Sequence, residues 1–212
     1  MATDLVEIDA EQPAPEAIAR AEATIRRGGV VAIPTDALYT LVADPFNLRA
    51  VARVFKAKGR EPQRSLPLLL SGVLMAEDLA REVTTRFNVL ARHFWPGPLT
   101  LIVPASPRVP LRVTGNTGRL AMRHPRSPVA EALLDSLDHP LIGTSANISG
   151  KPTACSGIDV FGMMDGRVDL ILDGGASSGT GATTVDITEP WWRIIREGSI
   201  SEKEIAEVLK NV

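Results

Sequence analysis

Cysteine is almost absent from this 212-residue sequence, and its single occurrence, Cys155, allows no disulfide within one chain. Histidine is nearly as scarce. His93, His124 and His139 stand apart without the spacing of paired metal ligands, which argues against a histidine-based metal site. No apolar run approaches the length that crosses a bilayer, and the N-terminal residues lack the basic and apolar regions of a secretory signal. We therefore predict a cytoplasmic protein that does not bind membranes.

Neither sign of charge is in excess, because 23 lysines and arginines face 25 aspartates and glutamates, which gives a formal net charge of -2. Such a balance does not mark a dedicated nucleic-acid-binding protein, so any such contact needs a local basic patch. The hydrophobic share of 44% is that of an ordinary globular protein and argues against bulk disorder. With no repeat and no low-complexity linker, the sequence predicts one domain over residues 1–212.

The spacing of apolar residues predicts an α/β fold. Helices are predicted at residues 15–27, 48–57, 76–83, 85–93 and 128–137, and after the capping box that begins at Ser201. Asn47 and Ser127 are the predicted N-caps of the second and fifth of these helices. Strands are predicted at residues 30–33, 66–70, 99–103, 120–122, 141–143, 170–172, 183–187 and 192–195. Helices and strands alternate at first and strands dominate the last third, which favours a mixed parallel and antiparallel sheet flanked by helices.

A basic segment runs through and beyond the second predicted helix. Lys58 and Arg60 flank Gly59, and a glycine there lets the backbone approach a ligand while two cations converge on it. Polyphosphate binding needs positive charge concentrated in this way. The alternative is the solvated face of an amphipathic helix, which we prefer for Arg49 and Arg53. For Lys58 and Arg60 the spacing alone favours neither interpretation.

Two further polar segments follow predicted strands, where ligand sites of α/β sheets tend to lie. Ser145 and Asn147 could hold ribose or phosphate oxygens, or they could form an ordinary turn, which the spacing slightly favours. Arg123 could bind a carboxylate through two hydrogen bonds, or it could form a structural ion pair with an acidic residue.

Eight segments carry a family resemblance in a fixed order: PTDALYTL, VFKAKGREPQRSLPLLL, FWPGPLTLIV, RLAMRHP, LIGTSANISGKP, DLILDGG, TTVDIT and IIREGSI. Together they resemble the threonylcarbamoyl-AMP synthase family, whose members are built on the YrdC-like domain. They run from about residue 28 to residue 200, and the ordered set is highly specific although each segment alone would be weak. The chain resembles the short form of this family, without an additional C-terminal domain.

The resemblance implies a twisted mixed sheet with a large, basic, concave cleft. It implies an L-threonylcarbamoyladenylate synthase, a nucleotidyltransferase that condenses L-threonine, bicarbonate and ATP to threonylcarbamoyl-AMP and pyrophosphate, with Mg²⁺ as the cofactor that accompanies ATP. The product would pass to a transferase complex that modifies tRNA, and the cleft could bind RNA weakly.

The resemblance also assigns roles to individual residues. The catalytic residues would be Lys58 and Arg60. The ATP ligands would be Lys58, Arg60, Ser145, Asn147 and Arg196. The threonine ligands would be Thr35, Arg123 and Thr183, and no metal ligand is assigned to a protein side chain. We expect the side chains of Lys58 and Arg60 to lie outside the core, and those of Arg60 and Asn147 to face the same cleft.

Three positions depart from the family pattern. Thr40 replaces a glycine, Glu61 replaces a frequent proline, and Ala182 replaces a serine, so that Thr183 would have to supply the missing hydroxyl. Two other functions stay open. One is a carbamoyl-nucleotide enzyme like the related domain of hydrogenase maturation factors, against which the short length and single cysteine argue. The other is a non-catalytic module that binds double-stranded RNA, against which the net charge argues mildly.

Overall fold

A computed structural model describes residues 2–177, 179–210 and 212 of the chain. Its strands are β1 (Asp4–Glu7), β2 (Val31–Ile33), β3 (Thr40–Ala43), β4 (Leu68–Leu69), β5 (Leu99–Pro104), β6 (Arg119–Arg123), β7 (Leu141–Ser145), β8 (Leu170–Asp173), β9 (Thr183–Asp186) and β10 (Arg193–Arg196). Its helices are α1 (Pro15–Arg26), α2 (Leu48–Lys58), α3 (Val73–Leu79), α4 (Thr85–Phe94), α5 (Leu111–Thr114), α6 (Pro128–Leu137), α7 (Gly157–Met164) and α8 (Glu202–Leu209).

These strands form one sheet in the order β1-β8-β2-β3-β7-β4-β6-β5-β9-β10. Four neighbouring pairs are parallel: β1 with β8, β2 with β8, β4 with β6, and β5 with β9. The other five pairs are antiparallel. The predicted mixed sheet flanked by helices is therefore confirmed. Within the described part of the chain, no helix is both long enough and apolar enough to cross a membrane.

One face of the sheet is covered by α2, α3, α4, α7 and α8, which bury the larger apolar cluster. Each of these helices contributes at least one fully enclosed side chain, for example Val54, Ala76, Phe87, Val160 and Ile205. Burial of this apolar area supplies most of the driving force for folding.

The opposite face is covered by α1 and α6 over only part of its width. Ile25 of α1 and Leu133 of α6 pack on Val42 of β3 and Leu141 of β7. Side chains two residues apart in a strand share a face, so Thr40 lies on the same face as Val42. Thr40 lines a cavity instead of packing under the helices. The uncovered part of this face therefore becomes the wall of a cavity.

Local capping signals placed several helices correctly. The side chain of Asn47 caps α2, that of Ser127 caps α6, and Ser201 and Glu204 form the predicted capping box of α8. The prediction of a helix at residues 76–83 is wrong in position, because α3 ends at Leu79. Ala80 is extended there and pairs with Ala105 beside the sheet, which stops the helix.

Four elements were not predicted. Strand β3 begins at the end of the PTDALYTL segment, for which only a family resemblance was noted, and its four residues are all buried. Strand β1 is the edge strand of the sheet, and its mostly exposed residues give little apolar signal. The short helix α5 and helix α7 were also missed, although Ser156 caps the latter with its side chain.

The cap of α6 yields a stability prediction. The hydroxyl of Ser127, which is 6% exposed, accepts a hydrogen bond from the Ala130 N–H and donates one to the Pro34 carbonyl. We expect Ser127→Ala to lower the free energy of unfolding by about 1–2 kcal/mol in urea denaturation, because it removes the helix cap and leaves a buried carbonyl without its donor. The exposed Ser136 of the same helix provides the control, and equal losses for Ser127→Ala and Ser136→Ala would contradict this account.

Candidate active site

A cavity of about 400 Å³ lies on the uncovered part of the sheet. Its floor consists of alternate residues of the central strands, among them Thr100, Ile102, Ala121, Arg123, Gly143 and Ser145. The side chain of Leu69 on the neighbouring strand β4 packs over Gly143, because a Cβ on Gly143 would lie 2.4 Å from Cγ of Leu69. Glycine is therefore required at this position of the floor.

Positive charge is concentrated around this cavity. The described residues that line it include four arginines and no aspartate or glutamate. The four come from the α2–β4 loop and from the ends of β6 and β10: Arg60, Arg64, Arg123 and Arg196. Such a lining suits an anionic ligand, and guanidinium groups bind carboxylates and phosphates through paired hydrogen bonds.

Arg123 is buried at the end of β6, and its guanidinium is held at two points. Its Nε donates to the Gly97 carbonyl at 3.0 Å, and its Nη2 forms an ion pair with Oδ1 of Asp36. Burial lowers the pKa of Arg123, although the charge of Asp36 acts in the opposite direction. The structural ion pair that the sequence left open is therefore present, and Arg123 also lines the cavity.

A second cavity, of about 500 Å³, lies between the end of α2 and the turn after β7. Arg60 and Asn147 both line it, as we predicted, although their motifs are far apart in the sequence. The remaining lining residues are Lys58, Gly59, Glu61, Arg64, Ser145, Ser149 and Gly150. The Lys-x-Arg and Ser-x-Asn segments are thus brought together at one place.

The expectation that the Lys58 side chain lies outside the core is wrong, because Lys58 is only 2% exposed. Its Nζ donates to the Ser145 carbonyl at 2.5 Å, to the Asn147 carbonyl at 3.0 Å and to Oδ1 of Asn147 at 3.4 Å. Burial, followed by the like charge of Arg60, lowers the pKa of Lys58 to about 8. The ammonium group therefore ties the end of α2 to the turn after β7.

The turn after β7 is closed by its own side chains. Ser145 Oγ donates to Oδ1 of Asn147 at 2.7 Å, and Nδ2 of Asn147 donates to the carbonyls of Ile148 and Lys151. The backbone N–H of Ser149 in turn donates to the Lys58 carbonyl at 2.8 Å. The sequence favoured an ordinary turn here, and the structure shows such a turn with Ser145 and Asn147 on a cavity wall.

Arg60 reaches both cavities from the loop after α2. Gly59 adopts the left-handed conformation that ends the helix, with φ of 57°. Arg60 Nη2 donates to the Ser65 carbonyl at 2.9 Å, whereas its buried Nε has no hydrogen-bond partner among the described residues. Burial and then the like charge of Arg64 lower the pKa of Arg60.

Two predicted threonine ligands do not face the first cavity. Thr35 is buried, and its hydroxyl closes a local turn by donating to the Leu38 carbonyl. Thr183 is fully buried, and its hydroxyl exchanges two hydrogen bonds with the backbone of Ile200. Neither residue lines the first cavity in this structure, and their assignment as threonine ligands stays a prediction.

Sequence reasoning missed Thr184, which lines the first cavity. The signal in the sequence that could have identified Thr184 is the neighbouring Val185, whose apolar side chain lies in the larger core cluster. Alternation in β9 places Thr183 on the face of Val185 and Thr184 on the opposite face, with Ala182.

Arg196 does line the cavity, and its Nε and Nη2 donate to the Ala182 carbonyl at 3.2 and 2.8 Å. Thr40 also lies on the cavity wall.

Comparison with known proteins matches the Sua5/YciO/YrdC family model, described as telomere recombination, to residues 23–198. A threonylcarbamoyl-AMP synthase of Pyrococcus abyssi (strain GE5 / Orsay) is 37% identical over 189 residues, which cover 89% of this chain and 56% of the relative. A threonylcarbamoyl-AMP synthase of Bacillus subtilis (strain 168) is 35% identical over 194 residues, which cover 91% of this chain and 56% of that relative.

The crystal structure of P. abyssi Sua5 complexed with L-threonine superimposes with a TM-score of 0.94 at 35% sequence identity. The superposition covers 99% of this chain and 62% of that one. The present chain therefore spans little more than half the length of these relatives.

The buried ammonium of Lys58 predicts a pH-dependent stability. Because the pKa of Lys58 is lowered from 10.5 to about 8, the unfolded chain binds more protons than the folded one between those pH values. Stability that depends on Lys58 should therefore rise with pH in this window. In urea denaturation, the unfolding free energy of the wild type minus that of Lys58→Met should increase from about pH 8 to about pH 10.

The exposed Lys56, on the same helix, provides the matched control, because Lys56→Met removes a lysine ammonium and leaves the buried contacts of Lys58 in place. A Lys58→Met difference that is flat or falls with pH would show that burial does not disfavour the charged form of Lys58.

Proposed function

This chain belongs to the Sua5/YciO/YrdC family, and on that basis we propose that it is an L-threonylcarbamoyladenylate synthase. It would condense L-threonine, bicarbonate and ATP to threonylcarbamoyl-AMP and pyrophosphate. The observation that carries the proposal is the convergence of four arginines on the uncovered part of one sheet face, beside the Ser145–Asn147 turn. The carboxylate of L-threonine, bicarbonate and the phosphates of ATP are all anionic groups that such a site would hold.

The threonine end of the site is proposed at Arg123. An arginine has five N–H donors, and the contacts with Gly97 and Asp36 occupy two of them, so that others remain for a substrate carboxylate. The solved P. abyssi Sua5 complex contains L-threonine, which supports a threonine pocket in the shared fold. In this chain Thr184, rather than Thr35 or Thr183, is the threonine whose side chain lines the cavity near Arg123.

The nucleotide end of the site is proposed at Arg60, Ser145, Asn147 and Arg196. Arg60 supplies positive charge, and the turn after β7 supplies neutral hydrogen-bonding groups. Lys58 contributes by holding that turn through its ammonium group. This assignment places the α-phosphate between Arg60 and the threonine end at Arg123, both of which line the first cavity.

The proposed reaction needs positioning more than covalent help. The threonine amine and bicarbonate form a carbamate with loss of water. A carbamate oxygen then attacks the α-phosphorus of ATP, and the bond between this phosphorus and the oxygen of the leaving pyrophosphate breaks. The arginines offset charge on the phosphates, and the sheet and loops hold both substrates in line. Exclusion of water protects the carbamate and the adenylate from hydrolysis. No side-chain nucleophile is required.

Magnesium is proposed only as the ion that accompanies ATP. Within the described ranges, no group of three or more His, Cys, Asp or Glu residues could hold a metal ion. We therefore assign no protein side chain as a metal ligand and no step to the ion. Delivery of the product to a tRNA-modifying transferase complex, weak RNA binding and a cytoplasmic location likewise remain proposals.

The proposed function predicts a strict dependence of pyrophosphate release on two co-substrates. The purified protein should release pyrophosphate from ATP only when L-threonine and bicarbonate are both present, because the carbamate is the nucleophile. Radiolabelled bicarbonate should appear in a nucleotide product. A carbamoyl-nucleotide enzyme would instead use a carbamoyl donor without threonine, and an RNA-binding module would release no pyrophosphate. Release that is independent of threonine or bicarbonate would therefore contradict the synthase assignment.

A further inference from the structure

Less positive charge is available to phosphates than the sequence suggested, because the ammonium of Lys58 already donates to oxygens of Ser145 and Asn147. A lysine has three N–H donors, and the Nζ of Lys58 faces three oxygen acceptors on the turn after β7. Lys58 is also almost fully buried. Another cation must therefore act with Arg60 if a polyphosphate is to be neutralised at this place.

Arg64 stands where such a cation is needed. Three residues line both the first and the second cavity, and they are Arg60, Arg64 and Ser145. These three residues therefore mark the boundary between the two cavities. A ligand that extends from the sheet floor toward the turn after β7 must pass this boundary.

In the part of the chain that the structure describes, neither boundary arginine is paired with a carboxylate, although Glu61 also lines the second cavity. By contrast, Arg123 pairs with Asp36 and Arg119 pairs with Asp186. The buried Nε of Arg60 also lacks a hydrogen-bond partner within the described ranges. The like charge of Arg64 adds to burial in lowering the pKa of Arg60. An external anion would offset this repulsion between the two like charges.

The backbone of the loop that carries Arg64 packs against Gly115. Gly115 has φ of +60°, and a Cβ there would lie 2.3 Å from the Gln63 carbonyl oxygen and 2.9 Å from the Ser65 nitrogen. The loop therefore packs directly on the glycine backbone. Arg60 Nη2 also donates to the Ser65 carbonyl, which links the two arms of the loop. Arg64 is thus presented from an anchored loop, which reduces the entropy lost when it binds a ligand.

We propose that Arg64 and Arg60 together bind the terminal phosphates of the nucleotide, and the pyrophosphate that leaves, at the boundary between the two cavities. The proposal deepens the proposed function and rests on it. In this arrangement the α-phosphate lies toward Arg123, and the β- and γ-phosphates lie between the two arginines and the Ser145 hydroxyl. Lys58 is then a positioning residue for the turn rather than a phosphate ligand.

The test is calorimetric titration of the intact protein with ATP, inorganic pyrophosphate and AMP. Arg64→Gln should weaken binding of ATP and pyrophosphate by about ten- to a hundred-fold, because one charge-assisted contact is lost. Binding of AMP should not change, since AMP lacks the terminal phosphates. Arg112→Gln removes the same charge from the exposed side of nearby α5, and it should leave all three affinities unchanged.

Equal weakening of AMP and ATP by Arg64→Gln would contradict a role at the terminal phosphates, and unchanged ATP and pyrophosphate affinities would remove Arg64 from the site. A wild-type protein that binds none of the three ligands would contradict both this proposal and the proposed function. A protein that binds ATP and pyrophosphate through Arg64 but forms no adenylate would contradict the synthase assignment alone.

Discussion

A buried ammonium group joins two segments that are far apart in the chain. The Nζ of Lys58 donates to the carbonyls of Ser145 and Asn147, and the Lys58 carbonyl accepts from Ser149, so that α2 and the turn after β7 hold each other. A buried charge is tolerated only when its donors are matched by acceptors. This requirement fixes the turn, and with it the wall on which Arg60, Ser145 and Asn147 meet. The geometry of the nucleotide end depends on this contact.

The uncovered part of the sheet provides the second requirement of the site. Helices α1 and α6 cover this face on one side, and the cavity takes their place on the other. A strand face that is not packed under a helix can carry polar and small residues such as Thr184, Ala121 and Gly143. Arg123 extends from the same face and is fixed by Asp36 and the Gly97 carbonyl. The fold thus places an oriented guanidinium beside an open floor.

Local signals in the sequence were sufficient for many elements but not for every side-chain role. A cap such as Ser127 is determined by residues three positions away, and it was predicted correctly. The meeting of Arg60 and Asn147 was also predicted, through the order of the family motifs. The burial of Lys58 was not, because the sequence does not show which donors face tertiary acceptors. Alternation about Val185 could have assigned the buried position to Thr183. Arg64 belonged to the basic segment but was given no role of its own.

The central claim is that one continuous site binds threonine at Arg123 and ATP at Arg60. The most direct measurement is the KM for each substrate in the conservative variants Arg123→Lys and Arg60→Lys. Arg123→Lys should raise the KM for threonine by about ten- to a hundred-fold with little change for ATP, because lysine cannot reproduce the paired hydrogen bonds of a guanidinium. Arg60→Lys should instead raise the KM for ATP, with little change in the KM for threonine. An unchanged KM for threonine in Arg123→Lys would make the contact with Asp36 purely structural and would contradict the account.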